Sequence, residues 1–187
     1  IMGVPNFDIL NQYDLKLYDY DIVIARMEPE NNIEMMLKGF LHSKKERDLV
    51  IIGSLETKFG QYLSNKYQDK KIKYLGFVSG LDTLNSLRYF SNLYFHGHSV
   101  GGTNPSLLEA MASNSLICAH DNIFNKSILE NDAFYFKNIE QVSALMDAKI
   151  KNKENELVNS NQVKIKNFYS WGKIVDDYNR FFKRISL

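Results

Sequence analysis

The sequence predicts an α/β fold, a doubly wound Rossmann-like parallel sheet of about six strands, and three observations lead there. Short apolar, β-branched runs alternate along the chain with segments of helical period, the pattern of βαβ units. Six such runs occur, which suits a sheet covered by helices on both faces. Between the fourth run and its helix lies a glycine turn, in the segment 96–112, HGHSVGGTNPSLLEAMA. A turn of this kind leaves backbone N–H groups at a helix N-terminus, where the macrodipole favours an anion such as phosphate.

The strands are expected at 21–26, 49–53, 72–76, 93–96, 116–119 and 133–136. Helices fill the gaps at 32–42, 57–67, 81–90, 105–113, 139–150, 154–168 and 171–185. In the first of them Ile33, Met36, Leu37 and Phe40 recur at helical spacing, behind Asn31 and Glu34 in the manner of a capping box. Asn104 is a preferred N-cap, and Pro105 suits the first helical position because its missing N–H would have no partner there. The last helix carries aromatic and apolar residues on one side, with Lys173, Arg180, Lys183 and Arg184 largely elsewhere. It is expected to pack back across the domain or onto a partner. The charged tract 149–156 reads as a surface linker.

Composition bounds the possible functions. At 187 residues and 44% hydrophobic content the chain supports one domain, 1–187, with 170–187 as a C-terminal extension. Lys and Arg number 23 against 22 Asp and Glu, a formal charge of +1 that argues against a nucleic-acid footprint. The apolar runs are far too short to span a bilayer and no signal peptide is visible, so the expected location is cytoplasmic. The single cysteine, Cys118, reads as a small core side chain and excludes a disulfide framework. His96 and His98 supply two metal ligands at most, with no third nearby, so no metal is expected. The chain opens on Ile1, which leaves room for it to be part of something longer.

In a sheet of order 3-2-1-4-5-6 the first and fourth strands lie side by side where the winding reverses, and ligands bind beyond their carboxyl ends. The first strand runs into Arg26, Glu28, Glu30 and Asn31, and the fourth into His96, His98 and the glycine turn. Arg26 is thereby brought toward the phosphate-ready helix, where a charged contact is worth about 1.5–3 kcal/mol. Gly101 and Gly102 suit a tight turn and also a close approach of backbone to phosphate.

These segments resemble the C-terminal, nucleotide-sugar-binding half of GT-B glycosyltransferases of family 4. The string 105–112, PSLLEAMA, is similar to the family's signature helix, and 24–34, IARMEPENNIE, to its first strand and helix. Residues 50–53 and 74–78 resemble its second and third strands, whose following loops approach the base and diphosphate, here at Gly53, Phe77 and Val78. Residues 168–171, FYSW, look like its approach to the final helix. The resemblance implies that Arg26 and Glu109 are the catalytic pair. It implies donor binding by Arg26, Asn31, Gly53, Phe77, Val78, His98, Gly101, Gly102, Thr103, Asn104 and Glu109, Glu109 meeting ribose hydroxyls. Two departures stand out. Asn31 occupies a position usually held by Lys, and Gly101 the position of a sugar-facing glutamate. The combination of 26–32 with 98–105 resembles a subgroup of bacterial surface-polysaccharide assembly that includes rhamnosyltransferases.

The resemblance implies a retaining hexosyl transfer without metal or other cofactor, from a nucleoside-diphosphate sugar to a glycan or lipid-linked acceptor. The acceptor would be held by an N-terminal domain absent from these residues, leaving this chain inactive alone. Peripheral association with the inner face of the cytoplasmic membrane is left open. A non-catalytic nucleotide- or partner-binding module, or one subunit of a two-chain glycosyltransferase, is the alternative. A dinucleotide oxidoreductase fits less well, because no G-x-G-x-x-G follows the first strand.

Overall fold

The computed structural model describes residues 4–44 and 46–185. Residues 1–3, 45 and 186–187, which include both ends of the expected domain and the tip of its extension, lie outside the described residues. The strands are β1 (Tyr20–Ile24), β2 (Asp48–Ile52), β3 (Ile72–Gly76), β4 (Tyr94–His96), β5 (Ile117–His120) and β6 (Phe134–Phe136). Around them run α1 (Asp8–Gln12), α2 (Ile33–His42), α3 (Lys58–Lys66), α4 (Leu81–Phe90) and α5 (Pro105–Ala112). Then follow α6 (Ile123–Leu129), α7 (Ile139–Ala148), α8 (Asn155–Phe168) and α9 (Trp171–Ile185).

The sheet is parallel throughout in the order β3-β2-β1-β4-β5-β6, the doubly wound order considered above. Ile22 pairs with Val50 on one side and Tyr94 on the other, so β1 and β4 flank the point where the winding reverses. Alternate residues of each strand point to opposite faces, which divides the core in two. Tyr20, Ile22, Val50, Ile52, Tyr94 and Ile117 pack with α1, α4, α5 and α6. Val23, Leu49, Ile51, Phe95 and Cys118 pack with α2, α3 and α7. Cys118 is wholly buried.

Several expectations need correction. β1 ends at Ile24 rather than Arg26, because its ladder to β2 stops at Ile24 and Ile52 and the Arg26 carbonyl turns aside to accept from Asn31 Nδ2 at 2.8 Å. The capping box does not form. Asn32 starts α2 in the left-handed region with φ 52° and no side-chain cap, and Glu34 accepts from the Tyr62 and Tyr67 hydroxyls instead. α1 and α6 are helices the periodicity does not announce, being only five and seven residues long. The start of α6 does carry a signal, since Asn122 Oδ1 accepts from the Asn125 N–H at 2.9 Å.

The tract 149–156 is more than a surface linker. Its Lys151 is 5% exposed, the N–H donating to Asn92 Oδ1 at 3.0 Å and Nζ donating to the Tyr89 carbonyl between the rings of Tyr18 and Tyr89. Burial pushes its pKa down to about 7. α9, expected to pack back or onto a partner, buries none of its residues. Trp171, Val175, Tyr178, Phe181 and Ile185 all stand exposed along it.

Candidate functional site

A cavity of about 800 Å³ opens beyond the carboxyl ends of β1, β2 and β4, and every residue singled out for donor binding lines it. Arg26, Asn31 and Gly53 come from the β1 and β2 ends, Phe77 and Val78 from the loop after β3. His98, Gly101, Gly102, Thr103 and Asn104 form the β4–α5 loop, and Glu109 projects from α5. Register alone explains the convergence, since parallel strands end on one edge and the reversal leaves a crevice there.

The glycine turn before α5 differs in detail from the sequence expectation. Pro105 has no N–H, the Ser106 N–H is capped by Asn104 Oδ1 at 2.9 Å, and the Leu107 and Leu108 N–H groups donate to the Asn104 carbonyl. The first turn of α5 is therefore internally satisfied by its own cap. Among the described residues, the N–H groups of Gly102 and Thr103 have no partner. The donors available to an anion thus lie in the loop, with the helix dipole behind them. Gly101 adopts φ 108°, a conformation that favours glycine, and a Cβ there would meet nothing within 4 Å. Its absent carboxylate leaves open space.

The other residues divide by how free they are to meet a ligand. Arg26 is 84% exposed in its side chain and pairs with Glu28 at 3.4 Å, a weak surface contact that a diphosphate can replace. Asn31 is buried with its Nδ2 committed to the Arg26 carbonyl, so it shapes the loop that carries Arg26. Gly53 donates its N–H to the Gly76 carbonyl, and a Cβ would lie 2.1 Å from the Ala25 carbonyl oxygen. It lets the β1 and β2 ends pass and has no donor to spare. Val78 belongs to the core, whereas Phe77 is 79% exposed, its ring free at the rim.

His96 and His98 stack with ring centroids 4.3 Å apart, and only His98 lines the cavity. Both ring nitrogens of His96 and Nδ1 of His98 are buried without partners among the described residues. Burial lowers both pKa values, with the His98 ring and then Arg88 adding at His96, and Arg26 adding at His98. Burial therefore disfavours the charged form of both rings, and His98 presents its imidazole to the cavity. Among the described residues no group of three or more His, Cys, Asp or Glu is placed to hold a metal ion.

Residues 18–170 match the model of the glycosyl transferases group 1 family. The chain belongs to that family. Solved structures share the fold at low identity. Sucrose-phosphate synthase from Thermosynechococcus elongatus superposes with a TM-score of 0.77 at 12% identity, covering 97% of this chain and 49% of its own. The C-terminal domain of LpcC, a glycosyl transferase group 1 family protein from Francisella tularensis, gives 0.68 at 15% identity over 89% of this chain and 95% of its own. Anabaena HepE in complex with UDP-glucose gives 0.73 at 12% identity over 96% of this chain and 51% of its own. The chain thus spans about half the length of the synthase and of HepE. No curated protein matches the sequence.

Within this glycosyl transferases group 1 domain the structure adds a cavity residue that sequence reasoning missed. Arg88 of α4 is 1% exposed and its Nη2 donates to Glu109 Oε2 at 2.7 Å. A signal for it exists in the helix pattern. Arg88 stands four residues after Leu84 and seven after Leu81, on the stripe that should be apolar. A charge on that stripe either breaks the helix face or has a partner of opposite charge, and here the partner is Glu109 at the cavity wall. Among the described residues no helix is long and apolar enough to cross a membrane.

Proposed function

We propose that this chain is the donor-binding half of a retaining family-4 glycosyltransferase, carrying a sugar from a nucleoside-diphosphate donor to a glycan or lipid-linked acceptor. The observation that carries the reading is a single cavity lined by Arg26, the free N–H groups of Gly102 and Thr103, and the Glu109 carboxylate. A guanidinium and unpartnered N–H groups suit a diphosphate. A carboxylate suits hydroxyls, because it repels phosphate and accepts hydrogen bonds.

Breaking the anomeric bond leaves negative charge on the departing diphosphate. Donors already oriented there lower the barrier more than they stabilise the ground state. Arg26 and the loop N–H groups supply that charge stabilisation from the chain itself, so the reading assigns no metal. Phe77 stacks on the base and His98 faces the donor. The rhamnosyltransferase-like subgroup, with a role in bacterial capsule or lipopolysaccharide synthesis at the inner face of the cytoplasmic membrane, rests on the sequence segments 26–32 and 98–105. The exposed stripe of α9 favours a two-part enzyme, in which an acceptor-binding domain or separate subunit covers Trp171, Tyr178 and Phe181.

Calorimetric titration with UDP, ADP, GDP, dTDP and their sugar conjugates tests the reading. The chain is expected to bind at least one nucleoside diphosphate, and Arg26→Ala to weaken it by about tenfold or more. Because Arg26 is exposed, its removal should leave Tm within about 1 °C. Absence of binding to all of them overturns the donor site, and undiminished binding by Arg26→Ala removes the phosphate clamp. Transfer of sugar to acceptor by these residues alone would contradict the two-part enzyme.

A further inference from the structure

We infer that Arg88 is a positioning residue for donor recognition: its buried guanidinium holds one oxygen of Glu109 so that the other, Oε1, is presented to a hydroxyl of the nucleoside sugar. The inference rests on the donor-site reading and adds to it a residue from a different helix.

The geometry is asymmetric. Arg88 is buried to 1% while the Glu109 side chain is 39% exposed toward the cavity, and a single bond of 2.7 Å joins Nη2 to Oε2. A bidentate fork would consume both carboxylate oxygens. Here Oε1 has no protein donor among the described residues. The guanidinium is fixed from three elements. Asn85 Oδ1 accepts from Nη1 at 3.1 Å within α4, and Ser113 Oγ donates to that same Asn85 oxygen at 3.1 Å. Ser106 Oγ of α5 lies 3.5 Å from Nη2 and shares a hydrogen bond of 2.8 Å with the Tyr94 hydroxyl of β4.

An orphaned Nε does not set Arg88 apart, since Arg47 Nε is also buried without a partner among the described residues. The free oxygen of its carboxylate partner, Glu109, beside the cavity does. Direct capture of the diphosphate by Arg88 is disfavoured because its side chain is 1% exposed and each Nη already has a protein acceptor, Asn85 or Glu109. Its positive charge does offset the repulsion between Glu109 and a diphosphate at the neighbouring loop. What remains is a carboxylate acceptor held still beside the glycine turn, which matches the hydroxyl edge of a pentose.

The test compares each nucleoside diphosphate that the chain binds with its 2′,3′-dideoxy analogue. The wild-type chain is expected to prefer the hydroxylated form by about tenfold, the value of one charged hydrogen bond. Arg88→Met should bring that ratio close to one, and Arg88→Lys, which keeps the charge but loses the fork, should restore part of it. Glu109→Gln leaves an acceptor for Arg88 and should also flatten the ratio, after which Arg88→Lys should change it no further. Should Arg88→Met fail to fold, the Arg88→Lys comparison in the wild-type and Glu109→Gln backgrounds carries the same information. Equal weakening of both ligands, with the ratio preserved, would make Arg88 a structural residue and overturn the inference alone. A wild-type chain that binds no nucleoside diphosphate overturns the donor site and this inference together.

Discussion

Two arginine–carboxylate pairs sit at opposite ends of the same two strands, one of them buried and one opening on the cavity, and they are built differently. At the amino ends of β1 and β4, Asp21 is 1% exposed and Arg47 donates to its Oδ2 at 3.3 Å. Its Oδ1 accepts from Asn92 Nδ2 at 3.0 Å and from the Leu93 N–H at 3.2 Å, so both oxygens are used. At the carboxyl ends, Arg88 is buried but Glu109 is half open and keeps one oxygen free over the cavity. In the first network both carboxylate oxygens have donors, although Arg47 Nε is buried without a partner among the described residues and burial still pushes the Asp21 pKa up. The second is left incomplete on the side where a ligand would stand. A closed network ties strands together, and an open one of the same composition can recognise something.

The largest effect that tests this contrast is expected at the closed end. Asp21→Ala strips Arg47, Asn92 and the Leu93 N–H of their shared acceptor, a loss of about 3–5 kcal/mol for a broken buried pair. Scanning calorimetry should find Tm lower by on the order of 10 °C, with the folded fraction keeping its preference for hydroxylated over dideoxy nucleotides. A changed preference would erase the distinction between the two networks.

A smaller effect is expected at the cavity rim. Phe77→Ala should weaken a nucleoside diphosphate by about tenfold, in the range of one aromatic–base stack. Inorganic pyrophosphate, which has no base, should bind the variant as it binds the wild type. Equal losses for both would move the base away from Phe77.

The smallest concerns Lys151, a buried cation that has no carboxylate partner among the described residues. Its pKa falls from 10.5 to about 7 on folding. Between those values the unfolded chain binds more protons than the folded one, so stability rises with pH through that window and the penalty is largest below it. Because Lys151→Met removes that penalty but also the hydrogen bond to the Tyr89 carbonyl, it should leave a net rise in Tm of about a few degrees at pH 7, and the gain should shrink toward pH 10. A gain that persists at pH 10 would trace to packing rather than to charge.

Much of this was legible in the residues. The strands could be read because buried parallel strands are short apolar runs, whereas right-handed crossovers alone permit more than one strand order, of which the structure has β3-β2-β1-β4-β5-β6. The Asn104 cap was readable because capping is local chemistry, involving only the N–H of Ser106 two residues on. Local rules also misled. Asn31 and Glu34 carry the spacing of a capping box, yet Asn31 turns to the Arg26 carbonyl and Glu34 to tyrosines of the neighbouring helix. Tertiary partners outweighed the local alternative by offering burial as well as hydrogen bonds.

The sequence by itself determined the sheet, the two-sided packing and the edge at which Arg26, the glycine turn and Glu109 converge, because periodicity and strand direction fix which ends meet. Only the tertiary structure decided how each residue is used once there. It set Arg88 against Glu109, spent the amide of Asn31 and the N–H of Gly53 inside the protein, and left Gly102, Thr103 and Phe77 facing outward. Those outcomes depend on distances between residues far apart in the chain, which no local pattern encodes.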